Sequence, residues 1–138
     1  MSTAADYPSM AEARKNFKVL LDAAATGLPS QLHRDAQHLA VVDAELLVQH
    51  LAGILPSAEV VSEDGGWSVF IPGFPIAADG ATFAEAVDEM VCALREYAHD
   101  WVERLHRAPN HAGNWALVQI VSLSDDEHLA QWVTGSAR

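Results

Sequence analysis

The sequence predicts an α+β fold, and three features of the chain indicate it. In several segments apolar residues recur at every third or fourth position, which is typical of an amphipathic helix. Short runs of β-branched and aromatic residues lie between glycine, proline and aspartate, as expected of strands bounded by turns. Gly65 and Gly66 can adopt the backbone conformation that a tight hairpin turn needs, so an antiparallel pair of strands is predicted there.

The first part of the chain predicts a helix, a hairpin and a second helix. Ser9 and Glu12 have the spacing of a capping box, and Gly27 followed by Pro29 marks the end of the first helix. Strands are expected at 30–34 and 38–42, with a very short edge strand at 3–7 and a second helix at 44–55. The buried face of the first helix is predicted to contain Met10, Ala13, Phe17, Leu20, Leu21 and Ala24.

The remaining residues predict a sheet covered by a long helix. A strand at 58–62 is expected to pair across the glycine turn with 67–71, and 74–78 forms a further extended piece. Thr82 and Glu85 form a second capping box, which opens a helix with a long apolar stripe. The nearly continuous apolar run 115–123 predicts a strand buried on both faces, and a last helix is expected after a cap at Ser124.

The hairpin and the start of the long helix carry a family resemblance. Residues 64–67, 70–75 and 80–86 read DGGW, FIPGFP and GATFAEA. In this order they resemble HicB-like antitoxins, which have an acidic-Gly-Gly-aromatic turn, a Pro-aromatic-Pro strand end and a Gly-x-Thr-x-x-Glu-Ala helix start. The resemblance implies that residues 57–138 form a HicB-like, partial RNase H-like antiparallel sheet with a long covering helix, and that this part binds a toxin. A generic strand–strand–helix unit is the alternative.

The residues before this part carry a second resemblance. Residues 9–17 read SMAEARKNF, and they are followed by LLD at 20–22, a Gly-x-Pro turn at 27–29 and AVV at 40–42. This pattern resembles the N-terminal module of Phd/YefM-type antitoxins, in which Ser-x-x-Glu-Ala-Arg-x-Asn opens the first helix. The hairpin departs from the family, which often has a Gly-Lys pair there. The resemblance implies that residues 1–56 form a Phd/YefM-like helix–hairpin–helix module that dimerises and binds DNA.

Basic side chains on the first helix form the candidate DNA-binding surface. Cations contribute the salt-dependent attraction to phosphates, and arginine and asparagine can make paired hydrogen bonds with base edges. The resemblance assigns DNA contact most directly to Arg14 and Asn16. One copy offers few charges, so a homodimer or higher even oligomer on a palindromic operator is expected, with an ordinary solvated basic face as the alternative. The predicted DNA-binding residues are Arg14, Lys15, Asn16, Lys18 and Arg34.

Charge is distributed unevenly along the chain, whose net charge is −11. Residues 1–34 hold four basic and three acidic side chains, whereas residues 35–138 hold four basic and sixteen acidic ones. An acidic C-terminal part suits a basic partner such as an RNA-processing toxin, and plain solubility is the alternative. Aromatic residues would anchor such a partner. The predicted toxin-binding residues are Trp67, Phe74, Tyr97 and Trp101.

The sequence predicts a cytoplasmic protein without membrane association. The N-terminal residues contain no basic and apolar signal regions, and no apolar run reaches the ~18 residues of a membrane span. The one cysteine, Cys92, fits a reducing compartment and is expected to be buried packing.

Catalytic chemistry is not predicted. The seven histidines are scattered, and the sequence contains no phosphate-binding loop, serine elbow or cysteine–histidine pair with a suggestive spacing. Asp64 and Asp79 lie in predicted turns and Glu85 in a helix cap, so they do not predict the carboxylate cluster of a two-metal nuclease. No catalytic residue, metal or cofactor is therefore expected.

Together these features predict the antitoxin of a type II toxin–antitoxin pair. It would neutralise a toxin, expected to be a basic ribonuclease, by direct binding, and it would repress its own operon by binding operator DNA. The alternatives are a dimeric interaction protein without DNA binding and a metal-dependent nuclease.

Overall fold

The computed structural model describes residues 3–135 of the chain. The chain divides into two compact units, Met1–Leu47 and Val48–Arg138, and the division falls inside one helix. Each unit contains a three-stranded sheet, and the described residues form six α-helices. The prediction of an α+β fold is therefore confirmed.

The N-terminal unit contains a mixed sheet and short helices. The first strand runs parallel to the second, and the second and third strands form an antiparallel hairpin, which confirms the predicted edge strand and hairpin. The elements are β1 (Ala5–Tyr7), α1 (Met10–Lys15), α2 (Phe17–Ala25), β2 (Ser30–Arg34), β3 (Gln37–Ala40) and α3 (Ala44–Ile54), which continues into the second unit.

The single helix predicted between Ser9 and Gly27 is wrong, because two helices meet at Asn16. Ser9 caps α1 as predicted, and its hydroxyl accepts a hydrogen bond from the Glu12 amide at 3.2 Å. Asn16 leaves helical geometry, with φ −116° and ψ 31°, and its side-chain amide donates to the Glu12 carbonyl at 2.9 Å. Asparagine readily forms such local bonds in place of regular helical bonding, so α1 ends here. Gly27 follows α2 at a φ of 76°, as its predicted role as a helix terminator requires.

The predicted buried face of these two helices is only partly buried. Met10, Phe17 and Leu21 are 45%, 54% and 47% exposed, so their predicted burial is wrong. The short strands of the sheet cover a stripe of mostly small side chains along α1 and α2, and they leave these larger residues uncovered. The members of the predicted face that are buried are Ala13, Leu20 and Ala24.

The C-terminal unit is an antiparallel sheet covered by helices. The two-residue turn Asp64-Gly65 joins its first two strands, with φ values of 42° and 78°, and a type I′ turn requires positive values at both positions. The turn predicted at Gly65-Gly66 therefore lies one residue earlier, because Gly66 already pairs with Glu63 in the second strand. The long helix packs against the second and third strands, and two further helices pack against it. The elements are β4 (Glu59–Glu63), β5 (Gly66–Phe70), β6 (Ala77–Gly80), α4 (Phe83–Glu103), α5 (Trp115–Leu123) and α6 (Asp126–Thr134), with 3₁₀ turns at Leu105–Arg107 and Ala112–Asn114.

The strand predicted at 115–123 is wrong, because these residues form α5. Trp115 and Leu123 are exposed apolar residues outside the buried face, and they obscure the helical periodicity in the sequence. A short apolar run is compatible with either a buried strand or a buried helix. The cap predicted at Ser124 also moves by one residue, since Asp125 accepts from the His128 amide at 2.8 Å. The buried residues, at helical spacing, are Leu117, Val118, Ile120 and Val121.

Gly80 allows β6 to lie directly against the start of α4. A Cβ atom added here would lie 2.3 Å from the Ala86 nitrogen, a separation that real Cβ atoms essentially never show. The Thr82 hydroxyl accepts from the Glu85 amide at 3.1 Å, and the Glu85 carboxylate accepts from the Ala81 amide at 3.1 Å. The predicted capping box therefore forms, except that Glu85 bonds to Ala81 instead of Thr82.

The long helix α4 buries half of the ten-residue apolar stripe that its sequence predicts. Phe83 and Val102, near the two ends of the stripe, are 42% and 60% exposed. Cys92 is exposed, so its predicted burial is wrong; it lies beside the buried stripe, on the solvent side of the helix. The buried predicted residues are Val87, Met90, Val91, Leu94 and Ala98.

Candidate functional site

Arg14 is the most available of the predicted DNA-binding side chains. Its guanidinium is exposed and forms no hydrogen bond or ion pair with another residue of the described range 3–135. Lys15 lies 3.5 Å from a carboxylate oxygen of Glu12, and Lys18 lies 2.5 Å from one of Asp22. Exposed helical pairs of this kind contribute only about 0.3–0.5 kcal/mol, so a phosphate group can compete with the acids for these lysines.

The helix break changes how the basic residues relate to one another. Arg14 and Lys15 are the last residues of α1, Asn16 lies at the joint, and Lys18 belongs to α2. The Asn16 side chain is bonded to the carbonyl of Glu12 and helps to end α1. These residues therefore lie on both sides of a joint, and the prediction that one continuous helix carries them is wrong.

Arg34 lies elsewhere in the N-terminal unit, at the end of β2. Its Nε and Nη2 atoms donate to Gln37 Oε1 at 3.0 and 2.6 Å across the hairpin. The same hairpin holds a stacked pair of imidazoles, His33 and His38, with ring centroids 4.6 Å apart. Three of the four N-terminal cations thus have an internal partner, and Arg14 differs from them.

Apolar side chains border Arg14 on the surface of the N-terminal unit. A concavity of about 420 Å³ is formed by Met10, Phe17, Leu32 and Val41 together with Arg14. Met10 and Phe17 are the exposed apolar side chains discussed above. An exposed apolar concavity beside an unpaired cation is typical of an interaction surface.

Tyr97 and Trp101, which are predicted to bind a toxin, make internal bonds at the end of α4. The Tyr97 hydroxyl lies 2.8 Å from His111 Nδ1 and accepts from the Asn114 amide at 2.8 Å. The Trp101 indole donates to the His111 carbonyl at 2.9 Å. Both aromatic side chains are half-buried, and their polar atoms hold the segment after α4 in place.

Trp67 and Phe74, the other predicted toxin-binding residues, belong to the sheet region and are also half-buried. The Trp67 ring packs edge-on against Phe83, with centroids 5.5 Å apart and an interplanar angle of 84°. Phe74 lies between β5 and β6, where its amide donates to the Ile71 carbonyl at 3.1 Å. Two of the four aromatic residues therefore lie at the end of α4, and the other two lie in the sheet region. Their role in toxin binding stays a prediction.

The sheet of the C-terminal unit has a second face, which points away from α4. Opposite residues of antiparallel strands project to the same side, and the register aligns Val61, Ser68 and Asp79 in one row. The Ser68 hydroxyl oxygen lies 2.6 Å from a Glu63 carboxylate oxygen and 2.7 Å from one of Asp79. A hydroxyl donates one hydrogen bond at a time, so one of the two carboxylates is always without this donor.

Five residues define what we name the outer sheet face: Val61, Glu63, Ser68, Phe70 and Asp79. Glu63, Ser68 and Asp79 border a depression of about 510 Å³. Val61 and Phe70 project on the same side and are 42% and 36% exposed. The face therefore combines carboxylates with accessible apolar surface.

The described residues 3–135 contain no group of three or more histidine, cysteine, aspartate or glutamate side chains arranged to hold a metal ion. None of their helices is both long and apolar enough to cross a membrane. Hydrogen bonds from the backbone amide of His128, and then from its ring, lower the pKa of Asp125.

Comparison with known proteins identifies the family. The family model described as "PHD_like: Antitoxin of toxin-antitoxin, RelE / RelB, TA system" matches residues 6–134. The chain belongs to this antitoxin family. Its prediction as the antitoxin of a toxin–antitoxin system is thereby confirmed, and the match extends over both units of the antitoxin.

A solved structure from Syntrophomonas wolfei subsp. wolfei has a similar fold. It is described as an antitoxin part of a proposed toxin/antitoxin system, and it is 23% identical to the present antitoxin with a TM-score of 0.74. The similarity covers 91% of the antitoxin and 94% of that chain, so it extends over nearly the whole fold. No curated protein sequence matches the antitoxin.

The outer sheet face of the antitoxin is absent from the predictions made from the sequence. Glu63, Ser68 and Asp79 come from three different strands, and only the register brings them together. The sequence does contain one signal, because alternate residues of β5 project to opposite sides of the sheet. Trp67 therefore faces α4 while Ser68 and Phe70 face away from it.

Proposed function

We propose that the antitoxin neutralises a basic ribonuclease toxin by direct binding and represses its own operon by binding operator DNA. In this proposal residues 1–56 form a Phd/YefM-like module that dimerises and binds DNA, and residues 57–138 form a HicB-like module that blocks the toxin in the cytoplasm. Family membership supports the antitoxin role, and the acidic C-terminal part supports a basic partner. Inhibition by occlusion requires no catalytic residue, metal or cofactor, in keeping with a regulatory protein.

The exposed and unpaired guanidinium of Arg14 is the observation that carries the DNA-binding part of the proposal. An arginine without an internal partner gives up no ion pair when it binds a phosphate or a guanine edge. Lys15 and Lys18 lie nearby in the chain and add phosphate attraction, because their exposed ion pairs are weak.

The apolar surface beside Arg14 supports a homodimer. Met10, Phe17 and Leu21 are about half exposed, and a second copy would remove them from water. Two copies also double the number of cations that face the DNA, which raises affinity through the release of counterions. A two-fold dimer matches a palindromic operator.

One observation favours the alternative of an interaction protein without DNA binding. Lys15, Lys18 and Arg34 each have an internal partner, and residues 35–138 are strongly acidic. DNA would be repelled unless this acidic part faces away from it. The two functions predict different outcomes for the same DNA-binding experiment.

A gel-shift titration with the DNA upstream of the antitoxin's reading frame tests the DNA-binding part. Arg14→Ala is expected to weaken binding by about 1–3 kcal/mol, or roughly tenfold or more, and to reduce the salt dependence by about one phosphate contact. Arg104→Ala is the matched control, because it removes the same charge from an exposed arginine of the C-terminal unit. It is expected to change the affinity little.

The absence of a complex at low salt would contradict operator binding and favour the interaction protein without DNA binding. Equal affinities for the unsubstituted antitoxin and Arg14→Ala would contradict the assignment of the DNA contact to Arg14. Neither changes the assignment as an antitoxin, which rests on the family match over residues 6–134.

A further inference from the structure

We propose that the outer sheet face is the surface through which the antitoxin binds its toxin, and that its carboxylates receive an arginine or lysine side chain of that toxin. The inference rests on the proposed neutralisation of a basic toxin. It adds the location of the contact and the chemistry of the residue that the contact recognises.

The centre of the face holds two exposed carboxylates that can accept hydrogen bonds from a ligand. Glu63 and Asp79 share the single hydroxyl of Ser68, at 2.6 and 2.7 Å. Because that hydroxyl can donate to only one of them, the other carboxylate has acceptor capacity left for a ligand. The two negative charges also repel each other, and a cation placed between them removes this repulsion. A guanidinium has five N–H donors and can bond to both carboxylates at once.

The adjoining depression provides space for such a side chain. It has a volume of about 510 Å³, and its border contains three carboxylates, from Glu63, Asp64 and Asp79, and no basic side chain of the described residues 3–135. Asp64 contributes from the hairpin turn, where its φ of 42° fixes the backbone in a tight turn. The negative charge of these carboxylates is therefore available to a cation from another molecule.

The apolar flank favours a protein over a free ion. Val61 and Phe70 are 42% and 36% exposed on the same side of the sheet. Protein interfaces typically combine an apolar centre with arginine-containing polar contacts, whereas a hydrated cation gains nothing from apolar neighbours.

Charge favours a toxin over a second copy of the antitoxin as the occupant. The net charge of the chain is −11, and residues 35–138 account for all of its excess of acids over bases. Two outer sheet faces would bring carboxylates against carboxylates, and like charges facing each other across an interface disfavour the complex. A basic protein surface has the complementary charge.

The aromatic residues predicted from the sequence are less suited to this contact. Tyr97 and Trp101 use their polar atoms in bonds to the segment after α4. Trp67 lines the depression beside the carboxylates, and its ring packs edge-on against Phe83. The outer sheet face is free of such commitments except for the shared hydroxyl of Ser68.

Biolayer interferometry with one defined probe tests the inference. The probe is the purified protein encoded by the reading frame adjacent to that of the antitoxin. The experiment measures the dissociation constant of the complex between this protein and the antitoxin. The double variant Glu63→Gln/Asp79→Asn and the single variant Phe70→Ser are each expected to raise the dissociation constant about tenfold or more. Affinity of the unsubstituted antitoxin is expected to fall with added salt.

The matched control is Glu89→Gln/Glu103→Gln, which removes the same charge from exposed positions of α4. It is expected to bind as the unsubstituted antitoxin does. Thermal unfolding of every variant shows whether it folds. Phe70→Ser tests the apolar part of the outer sheet face, and Glu63→Gln/Asp79→Asn tests its acidic part independently.

Three outcomes overturn the inference in different ways. If the unsubstituted antitoxin binds and both face variants bind equally well, the toxin contacts another surface, and the proposed function stands. If the α4 control loses as much affinity as the double variant, overall charge and not this face is responsible. If the unsubstituted antitoxin does not bind the probe, the proposed function fails and the inference fails with it.

Discussion

The two units of the antitoxin bury apolar side chains of different sizes. Three of the four residues in the buried cluster of the N-terminal unit are alanines, and the fourth is Leu20. The C-terminal unit buries large side chains completely. They include Ile71, Met90, Leu94, Leu117, Ile120 and Leu129.

This difference in the size of the buried side chains indicates how each unit obtains its stability. Burial contributes roughly 25 cal/mol for each Å² of apolar surface, so a cluster of methyl groups contributes much less than a cluster of leucine and isoleucine side chains. The N-terminal unit leaves Met10 and Phe17 exposed and would therefore gain most from the second copy that we propose. The C-terminal unit has a core of its own, and its free surface is available to a different molecule.

Breaking the proposed contact between copies is expected to have the largest effect. Phe17→Glu puts a charge into the apolar surface of the N-terminal unit, and loss of a central aromatic contact weakens an interface by about 2 kcal/mol or more. We expect the dimer dissociation constant, measured by sedimentation equilibrium, to rise accordingly. Val102→Glu is the control, because Val102 is a 60% exposed apolar residue of the C-terminal unit. A monomeric unsubstituted antitoxin, or an unchanged dissociation constant in Phe17→Glu, would refute this view of the N-terminal unit.

Overpacking the junction between β6 and α4 tests the core of the C-terminal unit. Gly80→Ala adds a methyl group 2.3 Å from the Ala86 nitrogen, a backbone atom. We expect the free energy of unfolding in urea to fall by about 1–3 kcal/mol. Gly113→Ala adds the same group where nothing lies within 4 Å, and it should change the stability little. Equal free energies of unfolding for Gly80→Ala and Gly113→Ala would show that β6 and α4 can move apart without loss of stability.

Acid is expected to produce the smallest effect, at the cap of α6. Hydrogen bonds from the His128 amide and ring lower the pKa of Asp125 below the ordinary value of 3.8. A lowered folded-state pKa means that ionised Asp125 stabilises the fold above the unfolded-state pKa, and that this contribution is lost as the pH falls through the folded-state pKa.

Asp125→Asn isolates that contribution, because asparagine can still cap the helix but does not titrate. The stability advantage of the unsubstituted antitoxin over Asp125→Asn should shrink as the solution is acidified below the ordinary pKa of aspartate. Parallel pH profiles would exclude a role for the charge of Asp125. The effect is small because the pair with His128 is exposed to solvent.

Features that depend on a few neighbouring residues can be predicted from the sequence. The Asp64-Gly65 turn, the Thr82 cap and the end of α2 at Gly27 all follow from the backbone preferences of single residues. The exposed charge of Arg14 belongs to the same class, because a cation on a short amphipathic helix points to solvent.

Features that depend on distant packing are not predictable in this way. Residues 115–123 form a helix because α4 offers a surface for their helical stripe, and nothing within the run itself distinguishes this from a buried strand. Phe17 is exposed because the N-terminal sheet is too small to cover it. The pairing of Glu63 with Asp79 through Ser68 depends on the alignment of three strands.

The exposed position of Cys92 on α4 has a consequence for how self-association is interpreted. It is the single cysteine of the chain, so air oxidation can join it only to a thiol of another molecule. Two antitoxin chains linked in this way would form a covalent dimer that survives Phe17→Glu and disappears on addition of a reductant. The non-covalent dimer should show the opposite behaviour, and Cys92→Ser separates the two species.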